Sequence, residues 1–164
     1  MATSLHRVLD NFYWRIQSIS PTYTGRVKAR FEEWDPDIGL DPAKGSGWAR
    51  KFWVEWNGSG PTNDAAAIQR ESDHTYVVHV LYPRKGPHRE TMDMIAQDRH
   101  DLEKTLRGQI PTDHRLGYDD DNTTTNIGLM SRRRAEDDLR PFPLNNEIWE
   151  LRMEYECSVR EDET

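Results

Sequence analysis

Three consecutive aspartates, Asp119 to Asp121, form the string in this chain that is most typical of a metal-binding loop. Oxygen ligands of this kind are what Ca²⁺ and Mg²⁺ prefer in proteins. A calcium-binding EF-hand loop that began at Asp119 would need Gly at its sixth position and Glu at its twelfth, where the chain has Thr124 and Met130. That motif is therefore excluded. A looser divalent-metal site, in a small enzyme or binding module, stays open as an alternative to a solvated acidic loop tip.

Other patterns that would support catalysis or cofactor binding do not occur in the sequence. The six histidines include no HExxH motif, and a single cysteine cannot build a zinc site of thiolates. Gly45 to Gly47 lacks the Lys and the Ser or Thr with which a P-loop binds phosphate. We therefore predict no catalytic residue, no metal ligand and no cofactor. We expect His79, which lies inside an apolar run, to be a hydrogen-bonded core imidazole.

A basic block is followed at once by an acidic block. Arg132, Arg133 and Arg134 precede Glu136, Asp137 and Asp138. One interpretation is a solvated hairpin. The other is a head-to-tail ring in which the basic block of one chain meets an acidic block of its identical neighbour. Since no core pattern surrounds these charges, we expect Asp119 to Asp121 and Arg132 to Arg134 to lie on an arm that meets another subunit or a partner.

The last segment, Ile148 to Arg160, alternates strictly between apolar and polar residues. A period of two is typical of a strand with one buried and one wet face. The residues Trp149, Leu151, Met153, Tyr155, Cys157 and Val159 are expected to face the core. The polar residues from Glu150 to Arg160 are expected to remain free to meet another subunit.

Five further elements must position these residues, and a sixth is ambiguous. Helical spacing of apolar residues predicts helices at 5–19 and 88–107, and the second is stopped by Gly108. Alternation or continuous apolar character predicts strands at 51–56, closed by a turn at 57–61, and at 75–82. A further strand is expected within 123–134, whereas residues 25–34 suit a helix and a strand equally.

This order predicts an α+β fold in which an N-terminal helix and a second helix pack on a mostly antiparallel sheet. The length of 164 residues fits a single domain, 1–164, with a loop insertion at 35–48 and an extended polar arm at 109–146. The net charge of -7 argues against a protein that binds by neutralising phosphates. No apolar run reaches membrane-spanning length and the start lacks a signal-peptide core, so we expect a protein made in the cytoplasm, without a membrane partner.

The placed elements resemble the tail terminator proteins of long-tailed bacteriophages, which are also called tail completion or tail-to-head joining proteins. The resemblance rests on the strand that ends in His79–Pro83, on the core of the second helix at Met92–Arg99, and on the closing strand at Ile148–Tyr155. The N-terminal helix at 5–19 precedes them, as it does in that family. The insertion at 35–48 and the arm at 109–146 depart from the family's pattern.

The resemblance implies a structural virion protein that catalyses nothing. It would form a homohexameric ring that caps the tail tube, ends tube polymerisation and provides the interface to neck or head-completion proteins, with DNA passing through the lumen without specific binding. The protein would reside in the tail or neck of the virion and, during assembly, in the host cytoplasm. A head-to-tail stopper or another neck component is the alternative role.

The residues expected at a subunit or partner interface share charge and a position outside the predicted core. They are Asp119, Asp120, Asp121, Arg132, Arg133, Arg134, Glu136, Asp137, Asp138, Glu150, Arg152 and Glu154.

Overall fold

One sheet, built around a long C-terminal strand, organises the described part of the molecule. The computed structural model describes residues 4–25, 27, 29–37, 47–63, 69–84, 86–111, 126–133 and 139–162. Its elements, in chain order, are α1 (Ser4–Ser18), β1 (Glu32–Glu33), β2 (Lys51–Asn63), β3 (Gln69–Pro83), α2 (His88–Leu106), β4 (Gly108–Pro111), β5 (Asn126–Arg133), β6 (Leu139–Phe142) and β7 (Asn145–Asp162). The predicted α+β fold is confirmed.

The strands follow the order β1-β2-β3-β7-β5-β4, and β6 also pairs with β7. Only the short β1 runs parallel to its neighbour, β2, and all the other described pairs are antiparallel. The register aligns Val54 with Val78 and Val78 with Met153. Since side chains alternate across a sheet, this register places Val54, Val78 and Met153, with the residues two positions along from each, on one common face.

Both helices cover that face, which we call the helix-covered face. Val8, Phe12 and Ile16 of α1 lie in the same buried cluster as Leu102 and Leu106 of α2. From β7, the cluster includes Leu151, Met153, Tyr155, Cys157 and Val159. The predicted apolar face of the last strand is therefore confirmed. Each fully buried side chain of this size stabilises the fold by about 1.5–3 kcal/mol.

A buried ion pair fastens α2 to the segment before β2. Arg50, whose φ of 60° is unusual for a residue other than glycine, donates to the two Asp98 carboxylate oxygens at 2.7 and 2.9 Å. The same guanidinium donates to the carbonyls of Tyr23 and Ala29, and the Tyr82 hydroxyl donates to Asp98. Burial raises the pKa of Asp98, although the hydrogen bonds from Arg50 and Tyr82 oppose that rise. The pattern of the sequence did not reveal this network.

Two predictions about irregular segments are corrected, and a third segment, for which no prediction was made, is partly described. The turn expected at 57–61 is part of β2, which continues to Asn63 because register shifts after Trp56 and Ser59 absorb the irregular residues, with Gly58 at a φ of 94°. The arm expected at 109–146 supplies β5, β6 and nearly all of β4, so its described parts belong to the sheet. The ambiguous segment 25–34 contains no described helix and ends in β1.

Candidate interaction surface

Several charged side chains lie near the centre of the sheet face that the helices do not cover. Register places Trp53 of β2, His79 of β3 and Arg152 of β7 in one row across three strands. The next rows place Glu150 beside Leu81, and Glu154 beside Val77, which in turn pairs with Glu55. We call this surface the polar face and define it by Trp53, Glu55, His79, Arg133, Arg140, Glu150, Arg152 and Glu154.

A chain of three titratable side chains crosses the polar face. The Nδ1 atom of His79 lies 2.7 Å from a Glu150 carboxylate oxygen, and its Nε2 atom lies 3.1 Å from Glu55. Trp53 stacks on the imidazole with ring centroids 4.5 Å apart and an interplanar angle of 5°. Both ring nitrogens of His79 therefore lie within hydrogen-bond distance of a carboxylate oxygen. The prediction that His79 is a buried, hydrogen-bonded imidazole is confirmed, since it is 5% exposed.

Glu150 is the most deeply buried charge on the polar face. Two arginines approach its carboxylate, Arg140 at 3.4 Å and Arg152 at 3.8 Å. Burial by itself would raise the pKa of Glu150, but the hydrogen bond and charge of His79, together with Arg140, outweigh burial and lower the pKa below its ordinary value. Glu150 is thus held as a carboxylate in a largely dry site.

A small aromatic cluster lies beside this chain and shields it from water. Trp34, Leu81, Phe142 and Ile148 are buried together, and Trp48 and Trp53 pack against them. Trp34 contacts the rings of Trp48, Trp53 and Phe142 at centroid distances between 5.3 and 6.1 Å. These residues come from distant parts of the chain, and they form a second core on the side of the sheet that the helices do not cover.

The structure corrects the position of two predicted interface residues. Glu150 was expected on a wet face, but it is 1% exposed and its carboxylate pairs with His79 and Arg140. Arg132 was expected on an arm, but it lies in β5, opposite Tyr155, and pairs with Glu103 of α2. Because side chains alternate along a strand, the side chain of Arg132 lies on the helix-covered face.

The other described interface candidates stay on the polar face. Arg133 pairs in register with Glu154, and its guanidinium lies 4.0 Å from the Glu154 carboxylate. The side chain of Arg133 is 56% exposed, whereas those of Arg152 and Glu154 are half-buried. Leu129, on the same face of β5, is a large apolar side chain that stays exposed. This face of β5 therefore carries both an exposed charge and an exposed apolar side chain.

Seven predicted interface residues lie outside the part of the chain that the structure describes. They are Asp119, Asp120, Asp121, Arg134, Glu136, Asp137 and Asp138. Within the described part, no group of three or more His, Cys, Asp or Glu side chains is arranged to hold a metal ion. The acidic string itself is therefore untested as a metal site.

The sequence did not predict that several further residues belong to the polar face. Trp53, Glu55 and Arg140 belong to no motif. The pairing of β3 with β2 brings Trp53 and Glu55 to His79, and the pairing of β6 with β7 brings Arg140 to Glu150. The available signal was the single polar residue inside the apolar run of β3, because a buried imidazole needs hydrogen-bond partners. Cys157, expected as a buried thiol, is buried on the helix-covered face, and burial raises its pKa.

Neither described helix combines the length and apolar character that crossing a membrane requires. The chain matches no protein-family model and no curated protein.

Proposed function

We propose that this protein is a structural component of a phage virion, a tail terminator that assembles as a ring, caps the tail tube and meets the neck proteins. The observation that carries the proposal is the one-sided helix layer. Both helices pack on one face of the sheet, while the other face presents a charged surface that includes Arg133 and Glu154, with the exposed Leu129 on the same face of β5. Such a face has the mixed apolar and charged character of a surface that binds other proteins.

The strands themselves make this surface a suitable building block. β7 spans 18 residues and pairs with three other strands. Hydrogen bonds to these neighbours therefore hold the backbone that carries its charged residues. A surface held in this way loses little conformational entropy when it binds a partner. We propose a homohexamer, with the tail tube and neck or head-completion proteins as its further partners.

The net charge of -7 suits the passage of DNA through such a ring, because an acidic surface does not retain phosphates. In this proposal the protein has no catalytic role and resides in the tail or neck of the virion.

Electron microscopy of the purified protein, alone and mixed with tail tubes, tests this proposal. A terminator forms rings that sit on tube ends and limit tube length. Binding only to the portal side of the neck would replace the terminator role by that of a stopper. Absence of any ring, with or without tubes, would overturn the proposal.

A divalent-metal module remains the rival of another class. Titration with Ca²⁺, Mg²⁺ or Mn²⁺, read as a thermal shift, separates the two because an ion that binds only the native state raises the melting temperature. A terminator shows no specific shift. A saturable rise of several degrees that Asp119→Asn abolishes would favour the metal module.

A further inference from the structure

A groove lies between α2 and the hairpin of β6 and β7, where it encloses a cavity of about 380 Å³. We call it the α2 groove. One wall consists of Leu139 of β6 and Leu151 of β7, and the other is a stripe of α2 residues at helical spacing. The stripe consists of Met92, Ile95, Ala96, Arg99, His100 and Glu103. Because these residues cover three helical turns, the groove is about 16 Å long.

The middle of the α2 groove is apolar and accessible. Met92 and Leu139 pack against the main core but stay partly exposed, and Ala96 is exposed. Apolar surface of this kind gains free energy when a partner removes it from water. The groove therefore favours an occupant that brings an apolar side chain.

The charged side chains of the groove restrict the occupant further. Glu103, its one acidic residue, is already paired with Arg132 of β5. The other titratable residues of the lining are basic, Arg99 and His100. An acidic group next to the apolar side chain of the occupant would therefore add a favourable interaction.

The tip of the β6–β7 hairpin carries this combination of side chains. Leu144 lies in the turn and is 59% exposed. Glu147, three residues further along, is exposed as well. The tip thus presents a large apolar side chain and an acidic group close together, and neither of them is needed for the core.

Contacts with the residue that follows β3 hold the tip in place. Arg84 donates its backbone N–H to the Glu147 carbonyl at 2.8 Å and a guanidinium N–H to the Asn146 carbonyl at 2.7 Å. The same guanidinium lies over the Trp149 ring, 4.3 Å from its centroid. A tip fixed in this way loses little conformational entropy when it binds.

The tip is too far from the groove of its own chain to occupy it. Leu139, in the groove, pairs with Leu151, whereas Phe142 pairs with Asn145 beside the turn. The stretch of β7 from Asn145 to Leu151 is about 20 Å long. A tip that fills the groove must therefore come from another chain. Since tip and groove are different surfaces, this contact is head-to-tail.

We propose that the α2 groove of one chain receives the β6–β7 tip of a second copy, with Leu144 on the apolar floor and Glu147 beside Arg99 and His100. Head-to-tail contacts close into a ring where the rotation between copies permits it. The inference rests on the proposed ring, and it adds a second contact to that of the polar face.

Disulfide trapping in the full chain tests this contact. One variant carries Leu144→Cys and the other carries Ala96→Cys, while the native Cys157 is buried in both. A disulfide requires Cβ atoms about 4 Å apart, so the mixed variants should cross-link under mild oxidation about tenfold faster than either variant alone. Gln97→Cys, exposed on α2 but outside the groove lining, is the matched control and should not cross-link to Leu144→Cys.

Leu144→Asp tests whether the apolar side chain drives the contact. The substitution brings a charge to the apolar floor, so it should weaken association of the chains about tenfold or more. The melting temperature should stay unchanged, because the side chain is exposed in the single chain. Native mass spectrometry measures the association, and a thermal shift assay measures the stability.

The outcomes separate this inference from the proposed function. A wild-type hexamer without the cross-link between Leu144→Cys and Ala96→Cys would overturn the contact, leave the ring intact and assign the groove to another partner. Unchanged association of Leu144→Asp would overturn the contact as well. Cross-linked open chains without a ring would support the contact and contradict the ring. A wild type that stays monomeric at every concentration would overturn both.

Discussion

The two faces of β7 differ in what they contribute, although they share one backbone. On the helix-covered face, the side chains from Leu151 to Val159 are buried against both helices and are apolar. On the polar face, Glu150 near the start of the strand is buried in an ion-pair network, whereas Arg152 and Glu154 further along are partly exposed. The apolar contacts that stabilise β7 are therefore mostly on the helix-covered face. The polar face contains the buried network of Glu150 and a more exposed part that a partner can reach.

The largest expected effect comes from breaking the buried ion pair on the helix side. Asp98→Asn removes the charge that Arg50 pairs with, while both side chains are almost completely buried. Removing one partner of such a pair leaves an uncompensated charge, so the free energy of unfolding should fall by about 3–5 kcal/mol. Urea denaturation measures the loss. A change below about 1 kcal/mol would show that the network does not hold α2 to the sheet.

Adjacent residues of β7 compare the two faces directly. Met153→Ala deletes a fully buried side chain on the helix-covered face and should cost about 2–5 kcal/mol. Arg152→Ala deletes a half-buried charge on the polar face and should cost no more than about 1 kcal/mol. Denaturation of the two variants under the same conditions measures both values. Equal losses would contradict the division between the faces.

Glu150→Gln tests whether the buried part of the polar face is structural. The variant weakens the hydrogen bond to His79 and the pairing with Arg140, and it should lower the free energy of unfolding by about 1–3 kcal/mol at neutral pH. Because the folded pKa of Glu150 lies below its ordinary value of 4.5, the stabilisation is complete above that pH and disappears as the pH falls through the folded pKa. Denaturation of wild type and variant between pH 7 and pH 3 should show converging stabilities. A difference that grows on acidification would reverse this assignment.

The regular elements were predictable because each follows one period over many residues. The helices α1 and α2, and the strands β3 and β7, have apolar spacing that a single helix or sheet face explains. The short strands were not predictable, because two to four residues contain too few repeats for a period. The continuation of β2 through Gly58 depends on pairing with β3, which compensates for its poor local propensity.

The site could be predicted only in part, for a related reason. The alternation of β7 located Arg152 and Glu154 on a polar face, but local pattern cannot show that Glu150 is buried and paired with the distant residues His79 and Arg140. Arg132 and Arg133 were interpreted as one basic block, whereas strand alternation separates them onto opposite faces. Tertiary packing, which no local pattern records, decided the position of Glu150, whereas the assignment of 126–133 to a strand decided the positions of the two arginines.

The smallest effect on stability, and the largest on assembly, is expected for Arg133→Glu. Its side chain is exposed and 4.0 Å from Glu154, so the free energy of unfolding should change by less than about 0.5 kcal/mol. If the part of the polar face that carries Arg133 joins subunits, charge reversal there should weaken association strongly. Arg89→Glu, an exposed charge reversal on α2, is the matched control.

Native mass spectrometry of wild type, Arg133→Glu and Arg89→Glu at one protein concentration tests the central claim most directly. The account predicts a hexamer for wild type and for Arg89→Glu, and a shift to monomers for Arg133→Glu. A monomeric wild type, or the same hexamer for all three proteins, would contradict the claim that the polar face joins subunits in a ring.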